Sequence, residues 1–316
     1  MKQLALWKPL ASLLLALILE IGLGNSPRNP PVKYPFLLYG LLLSAAFFLI
    51  GPLLGRLRPW IRGRLLAKAD FHAAVFLVVN LLNLTTNKFA LLPPIFFPTP
   101  DRILAVLALD FPYLVGECLV SSGKLLFTGF LSGLLAGLVT GIAIGFSRRA
   151  GYWLNPLIRI IGPIPPTAWI PLVLVAFPTT FQGGAFLIAL SVWFPTTVMT
   201  SSGIANVQNA YFEVSSTLGA GRYWQIFHVG IPAAMPFIFI GVFTGTCSSF
   251  ITLMTAEMLG VKNGIGWYIN WQREMLSYAN VYAGLILIAL SFYLLITLLF
   301  KLRDYVLVWQ RGVIKW

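Results

Sequence analysis

Acidic residues, cysteines and histidines are all scarce in this chain. Nine Asp and Glu stand against 22 Lys and Arg in 316 residues, and charged residues make up 10% of the total. Hydrophobic residues supply 58%, with a mean hydropathy of +0.85, which excludes an ordinary soluble domain and describes a polytopic membrane protein. The two cysteines, Cys118 and Cys247, lie in different apolar segments, so neither a disulfide framework nor a thiolate metal site is indicated. The two histidines, His72 and His228, also sit on different segments, which leaves no repeated ligand spacing and no nucleophile–base pair. No glycine-rich loop ends in Gly-Lys-Ser/Thr, so ATP has no such motif to bind here and any energy source lies elsewhere. The net charge of +13 does not indicate nucleic acid, because the basic residues form short clusters between apolar runs without an aromatic–basic surface.

What is abundant is apolar sequence in long segments. Candidate spans fall near 4–24, 35–55, 71–92, 116–146, 157–178, 183–205, 231–256 and 281–300, which predicts an all-α polytopic transmembrane bundle of about eight spans. The 116–146 segment is long enough to project past the bilayer, and the third is interrupted by Asn80, Asn83, Thr85, Thr86 and Asn87. Alternating the loops from an internal amino terminus places 15 of the 22 basic residues inside, among them Arg56, Arg58, Arg62, Arg64, Lys68, Arg148, Arg149, Arg159 and Arg222. Arg28, Lys33, Lys88, Arg102, Lys124, Lys262 and Arg273 fall outside, so the positive-inside rule puts both termini and the 206–228 stretch in the cytoplasm. The first apolar run, after Lys2 and Lys8, has an alternative reading as a cleaved signal peptide, and the remaining topology is the same either way.

The longest polar-containing interruption in the second half is Asn206–Pro236. At 100° per residue Val207, Ala210, Tyr211, Val214 and Leu218 share one helical face, with Asn209, Glu213, Ser216 and Thr217 opposite. Gly219-Ala220-Gly221 ends that helix, and Arg222–Val229 starts a second short one before Pro232. Phe212, Tyr223, Trp224 and Phe227 crowd this hairpin with aromatics, which suits either a hairpin lying at headgroup level or a docking site for a partner protein.

These residues resemble the membrane-spanning permease subunits of binding-protein-dependent ATP-binding-cassette importers. Glu213, Gly219, Val229, Ile231 and Pro232 fall in the spacing of that family's cytoplasmic signature, although Val214-Ser215 stands where the family has two alanines. The proline segment 93–110 with its short helix from Pro100-Asp101, the Ser147-Arg148-Arg149 turn and Gly264-Ile265-Gly266 resemble the nitrate, sulfonate, taurine and bicarbonate branch. The likeness covers about 71–316 and implies a type I importer core, while 1–70 adds two spans and a basic linker. It further implies a coupling hairpin at 206–232, in which Glu213 either contacts an ATPase directly or braces the hairpin. Gly219, Ala220 and Gly221 would set the turn, Phe212, Tyr223 and Trp224, beside Arg222, would fill the docking groove, and Pro232 would mark the return into a span. The implied partners are cytoplasmic ATPase subunits carrying ATP and Mg, a second permease copy or close relative, an external solute-binding protein and the lipid bilayer. The implied location is a bacterial-type cytoplasmic membrane, and the chain itself would be a transport subunit, not an enzyme, binding no cofactor.

Candidate path residues are fewer. Glycines 129, 133, 137, 141 and 145 recur every fourth residue and predict a close helix seam within or between subunits. Lys124 lies near the external end of the same segment, where it either snorkels or faces water. Prolines 163, 165, 166, 171, 178 and 195 break the next spans, and broken helices face protein or a watery cavity. Trp169, Trp193, Thr196, Thr197, Thr200 and Ser201 lie beside those breaks, and Thr252 belongs to the hydroxyl-rich Thr244–Glu257 segment. By the resemblance, Glu257 with Gly264 and Gly266 belongs to an external gate. A secondary transporter or channel working without an ATPase is the rival reading, but it would need more ionisable residues within the spans than Lys124 and Glu257.

Overall fold

The computed structural model describes residues 7–29, 35–57, 68–258, 260 and 263–310. Lys2, Lys33, Arg58, Arg62, Arg64, Lys262, Arg311 and Lys315, counted above for topology, lie outside the described residues, as does the start of the first expected span. All regular elements among the described residues are helical. In chain order they are α1 Trp7–Gly22, α2 Phe36–Leu57, α3 Ala69–Asn83 with a π-helical turn to Lys88, α4 Pro100–Leu109, α5 Phe111–Phe146, α6 Arg148–Ile161, α7 Ile170–Ala176, α8 Thr180–Ala205, α9 Asn209–Thr217, α10 Arg222–Met258, α11 Ile265–Glu274 and α12 Tyr278–Val306.

Five of these stretches are long and apolar enough to cross a membrane: Ala69–Lys88, Phe111–Phe146, Thr180–Ala205, Arg222–Met258 and Tyr278–Val306. The span expected at 157–178 takes a different form. Arg148–Ile161 and Pro166–Ala176 meet at 87°, because Pro163, Pro165 and Pro166 between them cannot donate helical hydrogen bonds. Counted as one broken span, the pair raises the total among the described residues to six; the 16 described residues of α1 and the apolar Phe36–Ile50 part of α2 are fewer than the roughly 20 of a straight crossing.

The chain forms two compact units, Met1–Leu114 with Trp271–Leu285, and Val115–Asn270 with Ile286–Trp316. The first has an apolar core of Leu13, Ala16, Leu37, Leu41 and Phe48, with Phe76, Val79 and Leu104 against it. Beside that core lies a buried polar clamp. Lys88 Nζ sits 3.1 Å from Glu20 Oε2 and donates to the carbonyls of Glu20 and Leu23 and to Asn25 Oδ1, while Asn83 Nδ2 donates to Glu20 Oε2 at 2.6 Å. A buried cation is tolerable only with such complete pairing, which accounts for Asn83 and Asn87 among the polar residues interrupting the third apolar segment. Asp101, in the first turn of α4, accepts the Leu37 N–H at 2.6 Å, and burial pushes its carboxyl above the usual carboxylate range.

The second unit is built on α5, α8 and α10. The glycine stripe of α5 presses on α8: a Cβ at Gly129 would fall 2.6 Å from Ile188 Cβ, at Gly137 2.7 Å from Thr196 Cβ, and at Gly141 2.6 Å from Thr200 Cβ. Gly241 and Gly245 of α10 meet α8 less tightly, a Cβ there falling 2.9 Å from Met199 Cβ and 3.2 Å from Val192 Cγ1. With no side chain to hold the backbones apart, dispersion contacts and hydroxyl bonds take over from hydrophobic sorting, which is weak in lipid. The seam expected from the glycine spacing is therefore present within the chain.

Candidate functional site

Two turns bound α10, one at each end. At its start, α9 closes in a Schellman cap: Gly219 N–H donates to Ser216 O at 2.9 Å and Ala220 N–H to Ser215 O at 3.0 Å. Gly219 adopts φ +84°, and since a Cβ there would meet nothing within 4 Å, its requirement for glycine is conformational. Gln225, from the first turn of α10, reaches back across the hairpin. Its Nε2 lies 3.2 Å from Phe212 O, 3.0 Å from Ser215 Oγ and 2.7 Å from Ser216 Oγ.

The hairpin is moored to Phe146, the last residue of α5. Arg222 Nη2 donates to its carbonyl at 2.8 Å, a cation placed on the negative end of a helix. The Phe212 ring meets the Phe146 ring edge-on at 6.1 Å, and a side chain at Gly230 would enter the same ring. Phe212 thus turns inward and braces the hairpin, whereas Leu218 and Tyr223 are each 81% exposed and Tyr211, Val214, Trp224 and Phe227 are exposed too. Trp224 stacks on His228 at 4.6 Å. The apolar face accordingly points away from the chain along α9, while Val207, assigned to the same face, packs against the Ile204, Ala234, Ile238 and Val242 cluster. Glu213 is exposed and makes no hydrogen bond or ion pair among the described residues.

One expectation is corrected here. The second hairpin helix does not stop before Pro232; it runs unbroken from Arg222 to Met258. A π-helical turn at Ile226–Gly230 widens the backbone just ahead of Pro232, so the carbonyls that proline would crowd are already displaced.

At the far end of α10, Glu257 is fully buried and accepts the Gly266 N–H at Oε2, 2.7 Å away. Ser122 Oγ of α5 accepts the Ile265 N–H at 2.9 Å. Gly264 has φ +138°, and a Cβ there would enter the Glu257 carboxyl; one at Gly266 would lie 2.9 Å from Oε2. These three residues form one closed knot in which the glycines are small because the carboxylate occupies the space.

The other sequence candidates separate. Thr196, Thr197 and Thr252 are buried in helix contacts, with Thr197 Oγ1 2.7 Å from Thr140 Oγ1, and Trp193 Nε1 donates to the same Thr140 at 3.1 Å. Trp169 packs beside Val173, Leu187 and Ala256, and its buried Nε1 has no partner among the described residues. Lys124 is exposed, and Thr128 bonds its carbonyl. Phe146, Ser215, Gln225, Ser122 and Thr140 were not anticipated; only Phe146 carried a signal, as the last apolar residue before the Ser147 helix cap. No three His, Cys, Asp or Glu side chains converge to hold a metal among the described residues.

Residues 133–308 match the family described as binding-protein-dependent transport system inner membrane component. A Methanocaldococcus jannaschii chain named for an ABC transporter permease is 28% identical over 253 residues, 78% of this chain and 93% of that one. The taurine transport system permease TauC of Escherichia coli is 28% identical over 217 residues, covering 67% and 79%, and the nitrate import permease NrtB of Synechococcus elongatus is 27% identical over 190 residues, covering 60% and 64%. An inward-facing structure of the MetNI methionine ABC transporter superposes with a TM-score of 0.51 at 18% identity, over 61% of this chain and 95% of that one, a likeness of fold.

Proposed function

We propose a division of labour within a chain that belongs to the binding-protein-dependent transport system inner membrane component family, and that is therefore the transmembrane permease subunit of an ATP-driven importer and not an enzyme. The 206–232 hairpin docks on a cytoplasmic ATP-binding-cassette subunit. Tyr211, Leu218, Tyr223 and Trp224 form the contact, Glu213 lies at its rim, and Phe212, Arg222 and Gln225 keep the hairpin in shape against Phe146. The observation that carries this is the outward apolar face on a firmly moored hairpin: an amphipathic helix serving only its own fold would turn that face inward. ATP and Mg are held by the ATPase, whose closure moves the hairpin. Both termini lie in the cytoplasm, in keeping with the distribution of basic residues.

The knot of Glu257, Gly264 and Gly266 closes the external mouth beside the path, with Lys124 near it. A second copy of the chain, or a close relative, completes the path, and an external binding protein delivers the solute. The names of the relatives, taurine and nitrate permeases, and the resemblance to the nitrate, sulfonate, taurine and bicarbonate branch point to a small polar or anionic solute. Copurification from detergent tests the docking. The intact chain is expected to retain an ATPase that a Leu218→Ser, Tyr223→Ser variant loses at unchanged thermal stability; retention by both would refute the docking surface.

A further inference from the structure

Three stripes run side by side along α6. Gly151, Leu154, Ile158 and Ile161, spaced three and four residues apart, turn toward the chain, with Gly151 and Ile158 buried and Leu154 and Ile161 half-buried. Arg148, Tyr152, Asn155 and Arg159, in the same spacing, are exposed. Trp153, Leu157 and Ile160 form the third stripe, also exposed, with Arg149 at the border between the two outer ones. The Tyr152 and Trp153 rings meet edge-on at 5.3 Å, each residue 73% exposed.

These outer stripes make opposite demands. Hydrocarbon excludes the arginines, and water gives no return for the exposure of Trp153, Leu157 and Ile160. Both stripes are accommodated at once in the headgroup layer, where Trp and Tyr rings and basic side chains concentrate. The dimensions agree. Fourteen residues span about 21 Å, less than the ~30 Å of hydrocarbon. The 87° bend after Ile161 means that α6 and the Pro166–Ala176 arm do not both follow the membrane normal. α6 begins directly after Phe146, to which Arg222 is tied, so it starts on the membrane face that carries the hairpin.

The arginines have no counter-charge. The guanidinium groups of Arg148, Arg149 and Arg159 make no ion pair or hydrogen bond among the described residues. No Asp or Glu occurs between Glu117 and Glu213. Of the other acids, Glu20, Asp101 and Glu257 are committed inside the chain, and Asp70 and Asp304 pair with Lys8 and Arg303. Asp110 and Glu117 stand at the opposite end of α5, and Glu274 lies beyond the opposite end of α10. That leaves Glu213 against three arginines. A second copy of the chain brings the same shortage, whereas membrane phosphodiesters are abundant and match the guanidinium fork.

We propose that α6 lies in the headgroup layer and binds anionic phospholipid, with Arg148, Arg149 and Arg159 on the phosphates and Trp153, Leu157 and Ile160 among the upper acyl carbons. Lipid seated there anchors the end of α5 to which the hairpin is moored.

The test reads Trp153 fluorescence in the complete importer reconstituted into liposomes, as the difference between the parent and Trp153→Phe. Bromine is placed on the acyl chains of either phosphatidylglycerol or phosphatidylcholine, the two lipids being present at equal mole fraction. Brominated phosphatidylglycerol is expected to quench Trp153 about fivefold more effectively, the enrichment that one basic residue near an anionic surface supplies. Arg148→Gln, Arg149→Gln and Arg159→Gln together are expected to equalise the two lipids, while the triple Lys replacement, which keeps the charge, retains the preference. Both variants should keep the parent's thermal transition. Equal quenching by the two lipids in the parent would overturn the proposal. Quenching by neither would overturn it as well, by showing that protein covers this face, and a preference that survives the triple Gln replacement would overturn the role of the arginines.

Discussion

The two turns that bound α10 are built on opposite plans. The hairpin before it is held at its base by neutral groups and one surface arginine, and it shows its largest apolar side chains to the outside. The Gly-Ile-Gly turn after it folds around a carboxylate with no solvent exposure, whose Oε2 takes the Gly266 N–H and whose Oε1 has no hydrogen-bond partner among the described residues. A surface that remains apolar after its own chain has folded has use for a second molecule. A buried acid with a backbone donor on one oxygen is held by its own chain. The proposed contact role of the first turn and closing role of the second follow from that difference in plan.

This contrast can be broken most severely at Gly264. Gly264→Val puts a branched side chain into the Glu257 carboxyl at a backbone angle that such residues avoid, and uptake by the reconstituted importer is expected to fall on the order of 100-fold. Activity within twofold of the parent would show that the knot is not closed. On the other turn, Trp224→Ala should weaken ATPase binding, measured by titration in detergent, on the order of tenfold to 100-fold with the thermal transition unmoved. A lowered transition would mean that Trp224 supports the fold and does not serve contact.

Smaller effects sharpen the same distinction. Glu257→Ala leaves the Gly266 N–H buried without an acceptor, an expected loss of about 2 kcal/mol in unfolding, most of it restored in Glu257→Gln. Removing the hairpin's internal tie with Gln225→Ala should cost about 1 kcal/mol and act on ATPase affinity only indirectly. Equal losses for Glu257→Ala and Gln225→Ala would remove the distinction between the two turns.

Local patterns were readable in the sequence and their partners were not. The every-fourth glycine of α5 marked a seam, but that Ile188, Thr196 and Thr200 of α8 would fill it depends on residues about 60 positions away. Periodicity assigned the correct face to Tyr211, Val214 and Leu218, yet periodicity cannot tell which way a face points. Phe212, off that face, proved to be the inward residue because Phe146 waits beneath it. Lys88 read as one more external charge, since nothing local announces a carboxylate at Glu20, 68 residues earlier. Pro232 read as a helix end because the neighbouring π turn that accommodates it has no sequence signature.

The unbroken run from Arg222 to Met258 has a mechanical consequence. Its 37 residues make a rod about 55 Å long at 1.5 Å per residue, carrying the moored hairpin at one tip and Glu257 at the other. Pivoted near its middle on the glycines that meet α8, such a rod acts as a seesaw. A tilt of about 10° would swing each tip by roughly 5 Å in opposite directions, from its length alone. With the proposed docking at one tip and the proposed closure at the other, a push on the hairpin would carry the Glu257 end the opposite way, and the π turn at Ile226–Gly230 and Pro236 are where the rod would yield first.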